Sequence, residues 1–143
     1  MAVSLTLFSP DEANSLIPFL DPRLSHLAAR KRELDQVQNE LEMMRLLSET
    51  GASSANPDLV AREGKERRAK DLGEEIAEAV SAIHAKGCVV KDLDRGLVDF
   101  YSLRGDRIVF LCWQRGERRV AHWHSLSGGF ATRRPIQQKN TGT

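Results

Sequence analysis

Apolar residues in the first half of the chain recur at spacings of three, four and seven. Leu20, Leu24, Leu27, Leu34, Val37, Leu41, Met44 and Leu47 form one stripe, and Arg30, Lys31, Glu33, Asp35, Glu40, Glu42 and Arg45 occupy the other faces. That period belongs to a helix and predicts a long one over residues 22–49. Upstream, Ser9-Pro10-Asp11-Glu12 is a helix start: Ser9 can cap, proline suits the first turn, and Glu12 stands at the capping-box position. Pro18 and Pro22 then interrupt, so a short helix over 10–17 followed by a bend is expected. Leu5-Thr6-Leu7-Phe8 before it reads as a short strand. Residues 51–57 are a loop by composition. A further helix is expected from Asn56-Pro57 to the stop at Gly87, with Leu59, Val60, Leu72, Ile76, Ala79, Val80 and Ile83 as its apolar positions. Two helices of about 28–30 residues are about 42–45 Å long at 1.5 Å per residue. Joined by a short loop they make an antiparallel hairpin. Its distal part, around residues 50–70, includes the almost wholly charged stretch 62–71 and has little to bury against. Such a hairpin needs a cover, from the rest of the chain or from a second copy in a four-helix bundle.

After Gly87 the period changes. Residues 97–101, 107–113 and 119–124 read as strands, with turns at Arg104-Gly105-Asp106 and at Gln114-Arg115-Gly116-Glu117. Hairpin-linked strands make an antiparallel meander, and the middle strand, apolar on both faces, should be central and covered twice. A two-residue turn at Gly105-Asp106 pairs Tyr101 with Phe110, Phe100 with Leu111, and Asp99 with Cys112. An even-length second turn then puts Asp99, Tyr101, Ile108, Phe110, Cys112, Ala121 and Trp123 on one face. Val98, Phe100, Val109, Leu111, Trp113, Val120, His122 and His124 fall on the other. An odd-length turn would exchange the last strand's two sets. One face meets the helices; the other needs the tail, a second subunit or a ligand.

The expected fold class is therefore α+β: a long antiparallel helical hairpin packed with a small antiparallel meander of three or four strands. All 143 residues form one domain, with residues 1–87 helical, 88–136 the meander and basic tail, and 137–143 disordered. Charge follows the same division. Residues 1–87 hold 11 Lys/Arg against 15 Asp/Glu, a net of −4, and residues 88–143 hold 10 against 5, a net of +5. The chain totals +1, which excludes a polycation that coats nucleic acid. No apolar run is long enough to span a membrane, the first residues lack a signal-peptide core, and two cysteines make no disulfide framework. A cytoplasmic location is expected.

His122-Trp123-His124 is the most suggestive local feature, because strand alternation points both imidazoles to one side, about 6–7 Å apart. A metal site needs three or four ligands. Cys112 and Asp99 are the natural additions, but the even-turn register puts them on the opposite face, so no metal site is expected. Asp99 lies between Val98 and Phe100 in an apolar strand, and a buried carboxylate must be paired or neutral. Lys91, Arg95, a backbone N–H or the Trp123 indole can serve. The Asp92-x-Asp94 pair lacks the glycine and glutamate of a calcium loop. The stretch Gly128 to Pro135 can cradle an anion through Arg133 and Arg134, or pack Phe130 over the sheet. There is no serine or cysteine nucleophile motif, and Cys88 is expected to be unreactive.

Residues 87–135 and the amino-terminal start together resemble an uncharacterised prokaryotic family, domain of unknown function 2203. The residues that carry this are Phe8-Ser9-Pro10-Asp11-Glu12-Ala13-Asn14, Val90-Lys91-Asp92, Gly96-Leu97-Val98-Asp99-Phe100, Leu111-Cys112-Trp113, Trp123-His124, Gly129-Phe130 and Arg134-Pro135. Departures are Tyr101, where the family has proline, and His122, where an aromatic is commoner. The resemblance implies a small intracellular protein and carries no established activity. The first functional expectation is a non-enzymatic interaction or adaptor protein, a homodimer with an unidentified protein partner and no cofactor. The second is a small-ligand or metal-binding protein, in which an enzyme is included, with a pocket of Asp99, Trp113, Trp123, His124 and Arg134. The last is a nucleic-acid binder using Arg115, Arg118, Arg119, Arg133 and Arg134, disfavoured by interspersed acids. No membrane partner is expected.

Overall fold

The computed structural model describes residues 4–49 and 56–136. The loop expected over 51–57 and the tail 137–143 lie outside or largely outside them. Helix α1 (Pro10–Ser15) opens with the expected box: Ser9 Oγ accepts from the Glu12 N–H at 3.1 Å, and Glu12 Oε1 accepts from the Ser9 N–H at 2.8 Å. Helix α2 runs Ile17–Glu49, with Pro22 inside it. The bend expected at Pro18–Pro22 is therefore confined to the α1–α2 junction. Pro22, the sixth residue of α2, removes one intrahelical N–H, and Leu20 and Leu24 on either side are wholly buried. Residues 4–8 form no strand; Phe8 instead donates its N–H to the Tyr101 carbonyl at 2.7 Å and sets its ring edge-on to Phe100.

Helix α3 (Asn56–His84) returns antiparallel to α2. The apolar stripe divides along the hairpin. Near the sheet Leu20, Leu24, Leu27, Leu72, Ile76 and Ile83 are core, whereas Met43, Leu46, Leu59 and Val60 at the far end are exposed. There the helices are linked by ion pairs, Lys65 to Glu40 at 2.8 Å and Arg68 to Glu33 at 2.7 Å, which on a surface contribute about 0–1 kcal/mol each.

The sheet has five strands in the order β1 (Cys88–Asp92), β2 (Leu97–Arg104), β3 (Arg107–Gln114), β4 (His122–His124) and β5 (Arg134–Pro135), all antiparallel. This exceeds the three or four expected, because Cys88-Val89-Val90 pairs with β2 and the tail adds a two-residue edge. β3 is central and Val109 to Trp113 are all buried, as its apolarity requires. The β2–β3 register matches the two-residue turn: Asp99 faces Cys112, Phe100 faces Leu111, Tyr101 faces Phe110.

The second hairpin corrects the expected register. Cys112 pairs with His122 and Phe110 with His124, so nine residues separate the paired ends and even-numbered β4 residues share the face of Asp99. The cause is a set of bonds that lift residues 115–121 off the ladder. Glu117 bonds the Gln114 N–H through Oε1 at 2.8 Å, and its carbonyl accepts the Trp113 indole N–H at 3.1 Å. Asn14 Oδ1 from α1 takes the Val120 N–H at 2.6 Å. With one odd arch, both histidines change sides. The helix-facing side then carries Cys88, Val98, Phe100, Leu111 and Trp113, in one core with Leu20, Leu24 and Ile83. Among the described residues no helix is long and apolar enough to cross a membrane.

Candidate metal centre

The opposite face of the sheet places three different donors side by side. Asp99 on β2, Cys112 on β3 and His124 on β4 are each at most 3% exposed, and one ligand atom from each lies within 4.8 Å of the others. Asp99 and Cys112 meet because they are directly paired across β2 and β3. His124 reaches Asp99 diagonally over β3, from the position opposite Phe110. Above them the tail turns through Gly128-Gly129, and Phe130 closes a cavity of about 100 Å³ that Asp99, Cys112, His124, Lys91 and Leu97 also line. Phe130 is itself held between two guanidinium groups, Arg95 at 4.2 Å and Arg133 at 4.1 Å from its ring centre. Arg133 is fixed in turn by Glu117 at 2.6 Å.

The hydrogen bonding of His124 defines the chemistry. Its Nδ1 lies 2.8 Å from the carbonyl oxygen of Ser125. A carbonyl only accepts, so Nδ1 carries a hydrogen. The other ring nitrogen, Nε2, faces Asp99 Oδ2 at 3.0 Å. Two acceptors at this distance need a cation between them, a proton or a metal ion. A histidine whose far nitrogen is anchored on a backbone carbonyl, leaving the near one free, has the geometry of a metal ligand.

Electrostatics agree with an incompletely compensated site. Burial raises the Asp99 carboxyl above the ordinary carboxylate range, and the charges of His124 and Lys91 pull the other way. Burial, and then the charge of Asp99, pushes the Cys112 thiol up to about 11, against the opposing pull of Arg133. Without a cation the cluster therefore favours its protonated forms. Burial works to raise Glu117 too, but the bonds from Arg133 and the Gln114 N–H outweigh it and hold that carboxyl below its ordinary value.

The structure brings together only part of the pocket expected from sequence. Asp99 and His124 meet, but Trp113 is on the helix side, fully buried. Trp123 and Arg134 line a separate open groove, which His124 borders. The partners of Asp99 are His124 and Cys112, not the Trp123 indole or Arg95, whose guanidinium lies over Phe130. His122 stays outside the cluster; its Nδ1 is buried with no hydrogen-bond partner among the described residues. Cys112 is the donor that sequence reasoning set aside, and its direct pairing with Asp99 was the signal that could have kept it. Cys88 bonds the Ile83 carbonyl at 3.5 Å, and burial pushes its thiol up to about 11, which leaves it unreactive. Of the basic residues, Arg133 is neutralised by Glu117 and Arg115 reaches Ser25, so the expected basic set forms no single face.

The family described as "Uncharacterized conserved protein (DUF2203)" matches residues 6–136. No curated protein and no solved structure matches the chain.

Proposed function

The chain belongs to the DUF2203 family, and we propose, from its own geometry, that it binds one divalent transition-metal ion through Asp99, Cys112 and His124. The observation that carries this reading is Nε2 of His124 facing the Asp99 carboxyl at 3.0 Å, with a thiol beside them and all three buried. A nitrogen, a sulfur and an oxygen donor form a borderline-soft set that suits zinc and its neighbours rather than magnesium or calcium. Three protein ligands leave a fourth position toward the cavity beneath Phe130, which has room for water or a similarly small group. A metal bound there would act as a Lewis acid and acidify that water. The chain's own groups do the rest: Ser125 fixes the imidazole tautomer, Arg133 and Arg95 hold the aromatic lid, and Phe130 restricts access. A cytoplasmic, reducing compartment keeps Cys112 available as a ligand.

The direct test is metal analysis of purified, dialysed protein, followed by zinc titration. One zinc per chain is expected, and zinc at a hundred times its dissociation constant should stabilise the fold by about 2.7 kcal/mol. Binding should release protons, since the thiol must ionise. Asp99→Asn, Cys112→Ser and His124→Gln should each weaken binding more than the roughly 10–100-fold that loss of an outer hydrogen-bond partner costs. Protein that neither retains nor is stabilised by zinc, cobalt or nickel contradicts the reading.

A second reading is favoured by the exposed Met43, Leu46, Leu59 and Val60 at the far end of the hairpin. These support an interaction role, by pairing of two copies or by docking of a protein partner in the manner of an adaptor. Light scattering at micromolar concentration tests the homodimer; a monomer removes it.

A further inference from the structure

Outside the metal cluster, one side of the sheet end opens into a groove of about 690 Å³, the size of small-molecule sites. Arg104 and Arg107 flank the β2–β3 turn, and Arg134 comes from β5 at the other side of the groove. Trp123 lies between, with the Arg104 guanidinium 4.4 Å and that of Arg134 5.9 Å from its ring. The hydroxyl-bearing Ser125 and Ser127 complete the wall.

Some arginines of the molecule are paired with acids, as Arg30 and Arg68 with Glu33, Arg62 with Glu66, and Arg133 with Glu117. Among the described residues Arg104, Arg107 and Arg134 have no ion pair, and no carboxylate lines the groove. Three uncompensated guanidinium forks thus converge on one concavity, two of them steadied by an aromatic ring. Stacking leaves a guanidinium's edge N–H donors free to bind an oxyanion in a bidentate fashion. Hydroxyls add neutral donors suited to a tetrahedral anion.

We propose that this groove binds a small molecule carrying a phosphate or pyrophosphate group, through Arg104, Arg107 and Arg134, with Ser125 and Ser127 as further donors. The proposal does not rest on the metal reading, although His124 borders both cavities.

Inorganic pyrophosphate is the probe, and Trp123 the reporter, because Trp113 is fully buried and Trp123 is not. Calorimetric and fluorescence titration of the full chain should show saturable one-to-one binding with a change in tryptophan emission. The paired substitution Arg104→Gln/Arg134→Gln, at exposed positions, should weaken binding at least about tenfold, since charge-assisted bonds are lost. The same charge change at exposed Arg118 and Arg119 should leave affinity within about twofold, because it alters only the screened field. Absence of saturation, or equal weakening by both paired variants, overturns the proposal. So does citrate binding as tightly as pyrophosphate. A single-stranded oligonucleotide that binds without competition from pyrophosphate also overturns it.

Discussion

The two faces of the sheet are covered in opposite ways. The helix-facing side is almost wholly apolar and packs against α1–α3, with Phe8 edge-on to Phe100 and Trp113 and Leu111 in one core with the leucines of α2. The tail-facing side holds three ionisable donors beneath one phenylalanine that two arginines pin from opposite elements. The polar groups of the first face, the Trp113 indole and the Ser102 hydroxyl, each bond a backbone carbonyl, and the face contributes stability by burial. The second buries a carboxyl, a thiol and an imidazole, which are costly to bury unless a proton or a metal ion lies between them. The contrast separates the part of the molecule that folds it from the part that holds the candidate site.

Substitutions should divide accordingly. The largest effect belongs to the sealed face: Trp113→Ala empties a wholly buried site and should cost about 3–5 kcal/mol in urea unfolding of metal-free protein. Phe130→Ala on the other face removes a half-buried ring and two cation–π contacts, which should cost about 1–2 kcal/mol. It should also speed metal exchange with a chromophoric chelator, since the lid is gone.

Asp99→Asn should be milder still in metal-free protein, under about 1 kcal/mol near neutral pH, because an amide N–H can donate to Nε2 of a neutral His124. If Asp99 and His124 were instead a structural ion pair, this change would strand a buried imidazolium and cost about 3–5 kcal/mol. The pH dependence sharpens the point. The Asp99 carboxyl is raised in the folded state, so the fold binds this proton more tightly than the unfolded chain. Its stabilising contribution is complete below the ordinary value of 3.8 and is lost as pH rises through the raised folded value. Urea unfolding of metal-free protein across that window should show this loss, and Asp99→Asn should abolish it. The smallest effect is at the far end of the hairpin. Met43→Ser with Leu59→Ser should change stability by no more than about 0.5 kcal/mol, both being exposed, while shifting any self-association seen by light scattering.

Much of this arrangement is written locally. The capping box at Ser9, the helical period of the leucines and the two-residue turn at Gly105-Asp106 each involve neighbours in sequence, and each leads to the observed element and register. The second hairpin does not. Its register is set by Asn14 reaching Val120 from 106 positions away, and by Glu117 folding back to Trp113 and Gln114. A shift of one residue turns over every side chain of a strand, so that distant bond moved His124 onto the face of Asp99 and Cys112. The donors were all visible in the sequence, but their meeting was not. Strand β1 was hidden in the same way, since Val89 and Val90 are strand only because β2 offers an edge. Pro22 shows the converse, a local breaker overridden by burial of Leu20 and Leu24.

The most direct measurement is the absorption spectrum of the protein titrated with cobalt(II). The account predicts a thiolate-to-cobalt charge-transfer band that saturates at one cobalt per chain, persists in Cys88→Ser and disappears in Cys112→Ser. No such band, or one that survives in Cys112→Ser, would contradict it.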